Sequence, residues 1–230
     1  MTEQAAGPEG EGPGRAALEL ADWRRRISTL YAEVRERAAS DPRAAWDRWR
    51  TVRETLYRSH PQSPVPSAAR SGFRANHWPY DPGLRFEVDV EVEVRVAGAE
   101  AAGGPARHPA PRIPMSAGEQ LDFSRIGQVS IPFPDGVRSL ELYWMAGYSG
   151  GLFLPFRDAT NGLETYGAGR YLLDAAKAAD LGIDPATGRL VLDFNFAYQP
   201  SCAFDPRWAC PLAPPENRLD VRVEAGERIG

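Results

Sequence analysis

Four side chains near the carboxy end of this chain are of types that could carry chemistry. Asp193 and Glu216 are candidates for general acid and base, and Cys202 and Cys210 are candidate nucleophiles or redox groups. All four lie in Asp193–Asn217, a stretch rich in proline, aromatic and carboxamide residues that holds both cysteines and shows no helix or strand period. Loops this long are uncommon in compact domains and tend to be functional or disordered, and the aromatic content argues for order. It is therefore expected to be an ordered loop packed over the core and lining a site.

A second cluster lies just upstream. Arg157 and Arg170 could grip a carboxylate or phosphate through their forked guanidinium groups. Asp158, Thr165, Tyr166, Tyr171, Asn195, Tyr198 and Asn217 add directional polar groups beside apolar rings, the mixture expected of a small-molecule pocket. Each residue also has a plain structural alternative. Asp158 can cap a turn, Asp193 and Asn195 can bond loop backbone, and the arginines can pair with the acids.

Other patterns point away from familiar sites. The two cysteines are separated by seven residues, which suits neither a Cys-x-x-Cys redox pair nor a standard zinc pair. Buried thiols packing as small hydrophobes are one reading, and a reactive or pairing thiol near Arg207 or Arg170 is the other. His60, His77 and His108 are scattered, so no metal site is expected. Gly147-Tyr-Ser149-Gly-Gly151 fits a nucleophile-elbow pattern, but a strand pattern follows the serine where that motif needs a helix. Gly167-Ala-Gly169-Arg170 lacks the βαβ setting of a dinucleotide fingerprint and reads as a tight corner where backbone meets backbone.

The elements that must position these groups can be read from periodicity. Residues 1–16 have little to bury and are expected to be a disordered tail. Residues 17–60 should form a helical hairpin. Leu20, Trp23, Ile27, Leu30 and Val34 make one stripe on a helix of about 18–39, and Asp41-Pro42 starts a second that carries Ala45, Trp49, Val52 and Leu56. Residues 61–230 should be an antiparallel β domain. Phe86 to Val96 alternates apolar with acidic positions, a strand with one solvated face. Further strands are expected near 121–131, 138–145, 151–157, 164–166, 190–196 and 219–224, with a variable loop at 97–118. Asp158-Ala-Thr-Asn161-Gly162 should turn a hairpin, and Asp174–Leu181 should be a short helix closed by Gly182. The fold class is thus α+β: two amino-terminal helices packed on an antiparallel β-barrel or β-sandwich.

The carboxy-terminal half resembles a known family. Phe153-Leu-Pro-Phe-Arg157-Asp158-Ala-Thr160-Asn-Gly162 running to Gly169-Arg170-Tyr171 is one signature. Asp193-Phe-Asn195, Cys202-Ala-Phe, Cys210-Pro and Pro215-Glu216-Asn217 make the other. Together they resemble the bacterial and archaeal family catalogued as a domain of unknown function, DUF1684, most densely over residues 150–226. His60-Pro-Gln-Ser63-Pro64 and Tyr80-Asp-Pro82 also fit it. The resemblance implies a β-rich fold and a shared site around these motifs, and it implies no activity.

The totals narrow the function class. The 230 residues are 43% hydrophobic and 25% charged, with net charge −4. A dominant nucleic-acid surface is not expected at that charge. No apolar run approaches the ~20 residues of a membrane span. The amino terminus has no signal-peptide pattern, so a cytoplasmic protein is expected. Lys177 is the single lysine and carries no weight in this reading. The sequence leads to binding of a small anionic molecule, with or without chemistry on it, between the 153–171 and 193–217 motifs. One alternative is a non-catalytic interaction protein that docks a protein partner or a second copy through its first two helices, where Trp and Arg are concentrated. Another is a flavin- or haem-binding barrel. The sequence names no cofactor.

Overall fold

A computed structural model describes residues 12–92, 113–118, 121–147 and 150–229. The two amino-terminal helices form as the apolar stripes require. Helix α1 spans Pro13–Ala38 and buries Trp23, Ile27, Leu30, Tyr31 and Val34. It starts earlier than the stripe suggests, because Gly12 and Pro13 supply an N-cap and first helical residue ahead of the first apolar position. The expected tail is therefore helical from Pro13, and its first eleven residues lie outside the described ones. Helix α2 spans Pro42–Ser59. The Asp41 carboxylate caps it by accepting the Ala44 N–H at 2.9 Å.

The strands are β1 (Asn76–His77), β2 (Arg85–Val88), β3 (Val90–Val92), β4 (Phe123–Phe133), β5 (Gly136–Met145), β6 (Gly151–Phe156), β7 (Arg170–Asp174), β8 (Leu190–Asp193) and β9 (Glu227–Arg228). A five-stranded antiparallel sheet runs β3-β4-β5-β6-β7, and two-stranded sheets pair β2 with β8 and β1 with β9. The architecture is α+β, and its sheets do not close into a barrel.

Two apolar clusters hold the layers together. One joins the helices to the sheet through Trp46, Trp49, Phe123, Phe153, Tyr171 and Tyr198. The other fills the space between the sheet and the β2–β8 pair through Phe86, Ile131, Leu142, Phe156, Leu192 and Phe194. Neighbouring strand residues divide between the two, Phe153 with Leu154 and Tyr171 with Leu172, as pleating requires. Helix α2 is further fixed where the Trp46 indole N–H donates to the Asn195 carbonyl at 2.8 Å.

Several expected elements differ from the fold. The alternating run from Phe86 breaks at Asp89, so that β2 pairs with β8 while β3 pairs with β4. Its end, Glu93–Val96, lies outside the described residues, as does most of the 97–118 loop, including His108. Residues 164–166 are turn, and the strand that follows the 158–165 turn is β7. Residues 219–224 form no strand; they are tied by backbone bonds to Arg157 and Ala159 and by side chains described below. In place of a helix at 174–181 there is one 3₁₀ turn, Ala175–Lys177. It ends because Ala178 takes a left-handed conformation (φ 51°) and Ala179 bonds back to Asp174 in both directions. Of the nucleophile-elbow pattern, Tyr148 and Ser149 lie outside the described residues, and Gly151 opens β6, so a strand does follow. No helix among the described residues is long and apolar enough to cross a membrane.

Candidate functional site

The residues singled out in the sequence fall into two groups. The larger is a set of buried clamps. Arg170 is fully buried; its guanidinium donates to the carbonyls of Val223 (2.9 Å), Ala225 and Glu227 (3.3 Å) and pairs with Asp158 at 3.3 Å. It also lies over the rings of Trp78 and Phe156. Asp158 accepts in turn from the Val223 N–H (2.8 Å) and from Thr160. The Thr165 hydroxyl meets Thr160 and Asn161 in the same turn. This network ties residues 158–170 to the unpaired carboxy-terminal run. Burial favours the neutral form of Arg170, and the facing Asp158 opposes that shift.

Two carboxamides clamp in the same way. Asn195 bridges to Asp81, donating to its carbonyl and accepting its N–H, both at 2.8 Å. Asn217 does so with Glu141, accepting its N–H (2.8 Å), and donates to the carbonyls of Glu141 (2.9 Å) and Pro155 (2.7 Å). Asp193 is buried. One of its oxygens accepts from the Asn195 backbone and side chain (2.9 and 2.7 Å), and burial raises its pKa to about 6 against those bonds. Gly169 makes the expected corner: its φ is +103°, and a Cβ there would sit 2.4 Å from the Phe156 carbonyl. Arg157 is half-buried beside these clamps, its backbone bonded to Asn217 and Leu219, and Glu216 is exposed.

The second group opens on a cavity of about 280 Å³ between α1, the 62–64 segment after α2, one end of the five-stranded sheet and the 201–211 loop. Its walls are mostly apolar, with Leu20, Trp23, Met145 and Phe153 among them. Most of the polar residues of its lining come from β7, the turn after it and the loop. They include Tyr171, Asp174, Lys177, Ser201, Trp208 and Cys210. The Lys177 ammonium donates to the Ser201 hydroxyl at 3.1 Å and stands 5.3 Å from the centre of the Tyr198 ring. Among the described residues it makes no salt bridge. Both Asp174 oxygens are engaged, one by the Tyr198 hydroxyl at 2.7 Å and the other by the Ala176 N–H at 3.0 Å. The Tyr171 hydroxyl bonds the Pro211 carbonyl. The Trp208 indole N–H is buried and has no partner among the described residues. With Arg24 also in the wall, the described lining residues include two cations and one internally bonded carboxylate.

Cys210, part of this wall, lies beside Cys202; both are buried free thiols. The Cys202 N–H donates to the Cys210 sulfur at 3.3 Å. The Cys210 thiol's bond to Cys202 brings the latter's pKa down to about 6, with the Ser116 and Tyr166 hydroxyls adding to the effect. That same bond, with burial, pushes Cys210 upward.

The cavity thus touches both motif regions expected to form a pocket, while only Tyr171 and Cys210 of the thirteen residues named from sequence line it. Lys177, Ser201, Asp174 and Trp208 carry no catalytic signature. Their one sequence signal is that the single lysine sits just after a buried strand. Among the described residues no group of His, Cys, Asp and Glu has the arrangement of a metal site.

A model of DUF1684, described as a protein of unknown function, matches residues 76–228, about two thirds of the chain. This chain belongs to the DUF1684 family. The solution NMR structure of an uncharacterised protein of Haloarcula marismortui is similar to it, at 29% identity over 78% of this chain and 90% of the other, with a TM-score of 0.52. No curated protein matches the chain. Within the DUF1684 segment lie all the clamps and most of the cavity's polar groups. Helix α1 and the 62–64 segment, which supply Leu20, Trp23 and Pro64 of its apolar wall, precede the match.

Proposed function

We propose that this DUF1684 protein binds a small anionic molecule with an apolar body in the cavity beside Lys177. The observation that carries the reading is an ammonium that makes no salt bridge among the described residues, at the edge of a mostly apolar cavity. A carboxylate there gains a charge-assisted bond from Lys177, while its hydrocarbon replaces water against Trp23, Met145 and Phe153. A volume of about 280 Å³ suits a compact acid. Lys177 offers one rotatable point charge rather than a fork, so it does not select phosphate over carboxylate by geometry.

Titration calorimetry with octanoate tests this, with octanol as the neutral counterpart. The expected result is saturable octanoate binding that weakens about tenfold or more in Lys177→Met, corresponding to about 1.4 kcal/mol or more, while the response to octanol is unchanged. Equal affinity of the wild type and Lys177→Met for octanoate would remove the basis of the proposal.

A further inference from the structure

The cysteine pair is the one reactive cluster that the binding reading leaves unused. Cys202 and Cys210 are in direct contact, with the Cys202 N–H on the Cys210 sulfur at 3.3 Å. Cys210 forms part of the cavity wall, so a molecule entering the cavity reaches the pair from that side. The surroundings are those of a reactive thiol rather than of two packing hydrophobes. The Ser116 hydroxyl accepts the Cys210 N–H at 2.9 Å and lies close enough to Cys202 to support its thiolate, as does the Tyr166 hydroxyl. The Lys177 ammonium favours negative charge on Cys210 from the cavity side.

We propose that Cys202 and Cys210 form a redox-active dithiol that reduces an organic hydroperoxide entering through the cavity and closes to a disulfide. The proton shared by the pair passes to Cys202, and the sulfur of Cys210, the member of the pair in the cavity wall, attacks the terminal peroxide oxygen; an S–O bond forms, the O–O bond breaks and the alkoxide leaves. The alkoxide takes the proton of the second thiol and departs as an alcohol. The thiolate so formed attacks the sulfenic sulfur, the S–S bond forms, and hydroxide leaves and becomes water with a proton from solvent. Two thiols and one hydroperoxide thus give one disulfide, one alcohol and one water, a balanced two-electron step. The apolar wall favours a peroxide with a hydrocarbon body over a strongly charged peptide disulfide. The two cysteines lie side by side, so pairing them requires only that two protons leave and two electrons pass to the peroxide.

The shared proton makes the pair act near neutral pH. The Cys202 pKa of about 6 keeps one thiolate present where a free thiol is mostly protonated. Lys177, Ser116 and Tyr166 bias the pair toward that charge, and the Tyr171 hydroxyl beside Cys210 is engaged by the Pro211 carbonyl.

The test uses the reduced full-length chain, freed of reductant and mixed with one equivalent of cumene hydroperoxide. After an acid quench and maleimide treatment in denaturant, the intact mass is read over time. The expected product is about 2 Da lighter and takes up no maleimide. It should form about tenfold or more faster than in the same chain unfolded in urea, where the thiols return to ordinary reactivity. Cys202→Ser and Cys210→Ser should yield no such species, and the wild-type rate against the urea rate stands even if either variant misfolds. Persistence of two maleimide-reactive thiols, or build-up of sulfinic acid without the disulfide, would overturn the proposal. Saturating octanoate should slow the reaction. A chain that binds octanoate yet never forms the disulfide loses only the redox proposal, and one that forms it without binding octanoate loses only the binding one.

Discussion

The Asp158–Arg170 network and the Lys177 cavity contain similar residues, yet they differ in where their hydrogen bonds end. Arg170, Asn195 and Asn217 direct their polar groups at particular backbone atoms of distant segments, and they are fully or nearly fully buried. Around the cavity, the Lys177 ammonium bonds only a hydroxyl among the described residues. A buried polar group satisfied within the protein holds the fold, whereas one left open at a cavity is available to a ligand. Motif density alone does not separate these cases.

The largest effect expected from breaking this contrast is at Arg170. Arg170→Ala should cost about 3–5 kcal/mol or prevent folding, since it leaves Asp158 buried without its cation and three carbonyls without a donor. A urea midpoint close to wild type, with octanoate binding lost, would instead make Arg170 the anion clamp expected from its position in the sequence.

A middle effect comes from Asp193. Its pKa of about 6 lies above the ordinary carboxylate value, so the folded chain holds a proton there that the unfolded chain has released. Stability from this group is therefore present at low pH and falls as pH rises from about 4 to 6, by about 3 kcal/mol in all. His77 acts in the opposite sense over an overlapping window, because burial lowers its pKa to about 4 and stability is lost as pH falls through 6. The difference between wild type and Asp193→Asn isolates the carboxyl. The variant, which mimics the protonated form, should match wild type at pH 4 and exceed it at pH 7. Identical urea midpoints at both pH values would show that Asp193 titrates normally.

The smallest change in stability is expected at the cavity. Lys177→Met should stay within about 1 kcal/mol of wild type, because the side chain is part-exposed and makes one bond to a hydroxyl. A loss as large as that of Arg170→Ala would move Lys177 into the structural group.

The same contrast sets what the sequence reveals. Helices α1 and α2 were legible because their stripes and the Asp41-Pro42 cap are local signals. The Phe86 strand was legible as a strand, but its division between two sheets depends on β8 and β4, which are far away in sequence. Strand β7 carried no alternation because Arg170–Asp174 is buried on both faces, and an arginine opens it. Of the residues named from the two motif regions, Tyr171 and Cys210 line the cavity. Lys177 was passed over because nothing local marks a lone lysine; it matters only once a 3₁₀ turn, rather than a helix, sets it beside Ser201.

The most direct test of the contrast is a residue-resolved NMR titration of the labelled chain with octanoate. Saturable shifts confined to Lys177, Ser201, Cys210 and the Trp208 indole, with the Arg170, Asn195 and Asn217 side chains unmoved, are the predicted result. Shifts centred on the Asp158–Arg170 network with a silent Trp208 would contradict it.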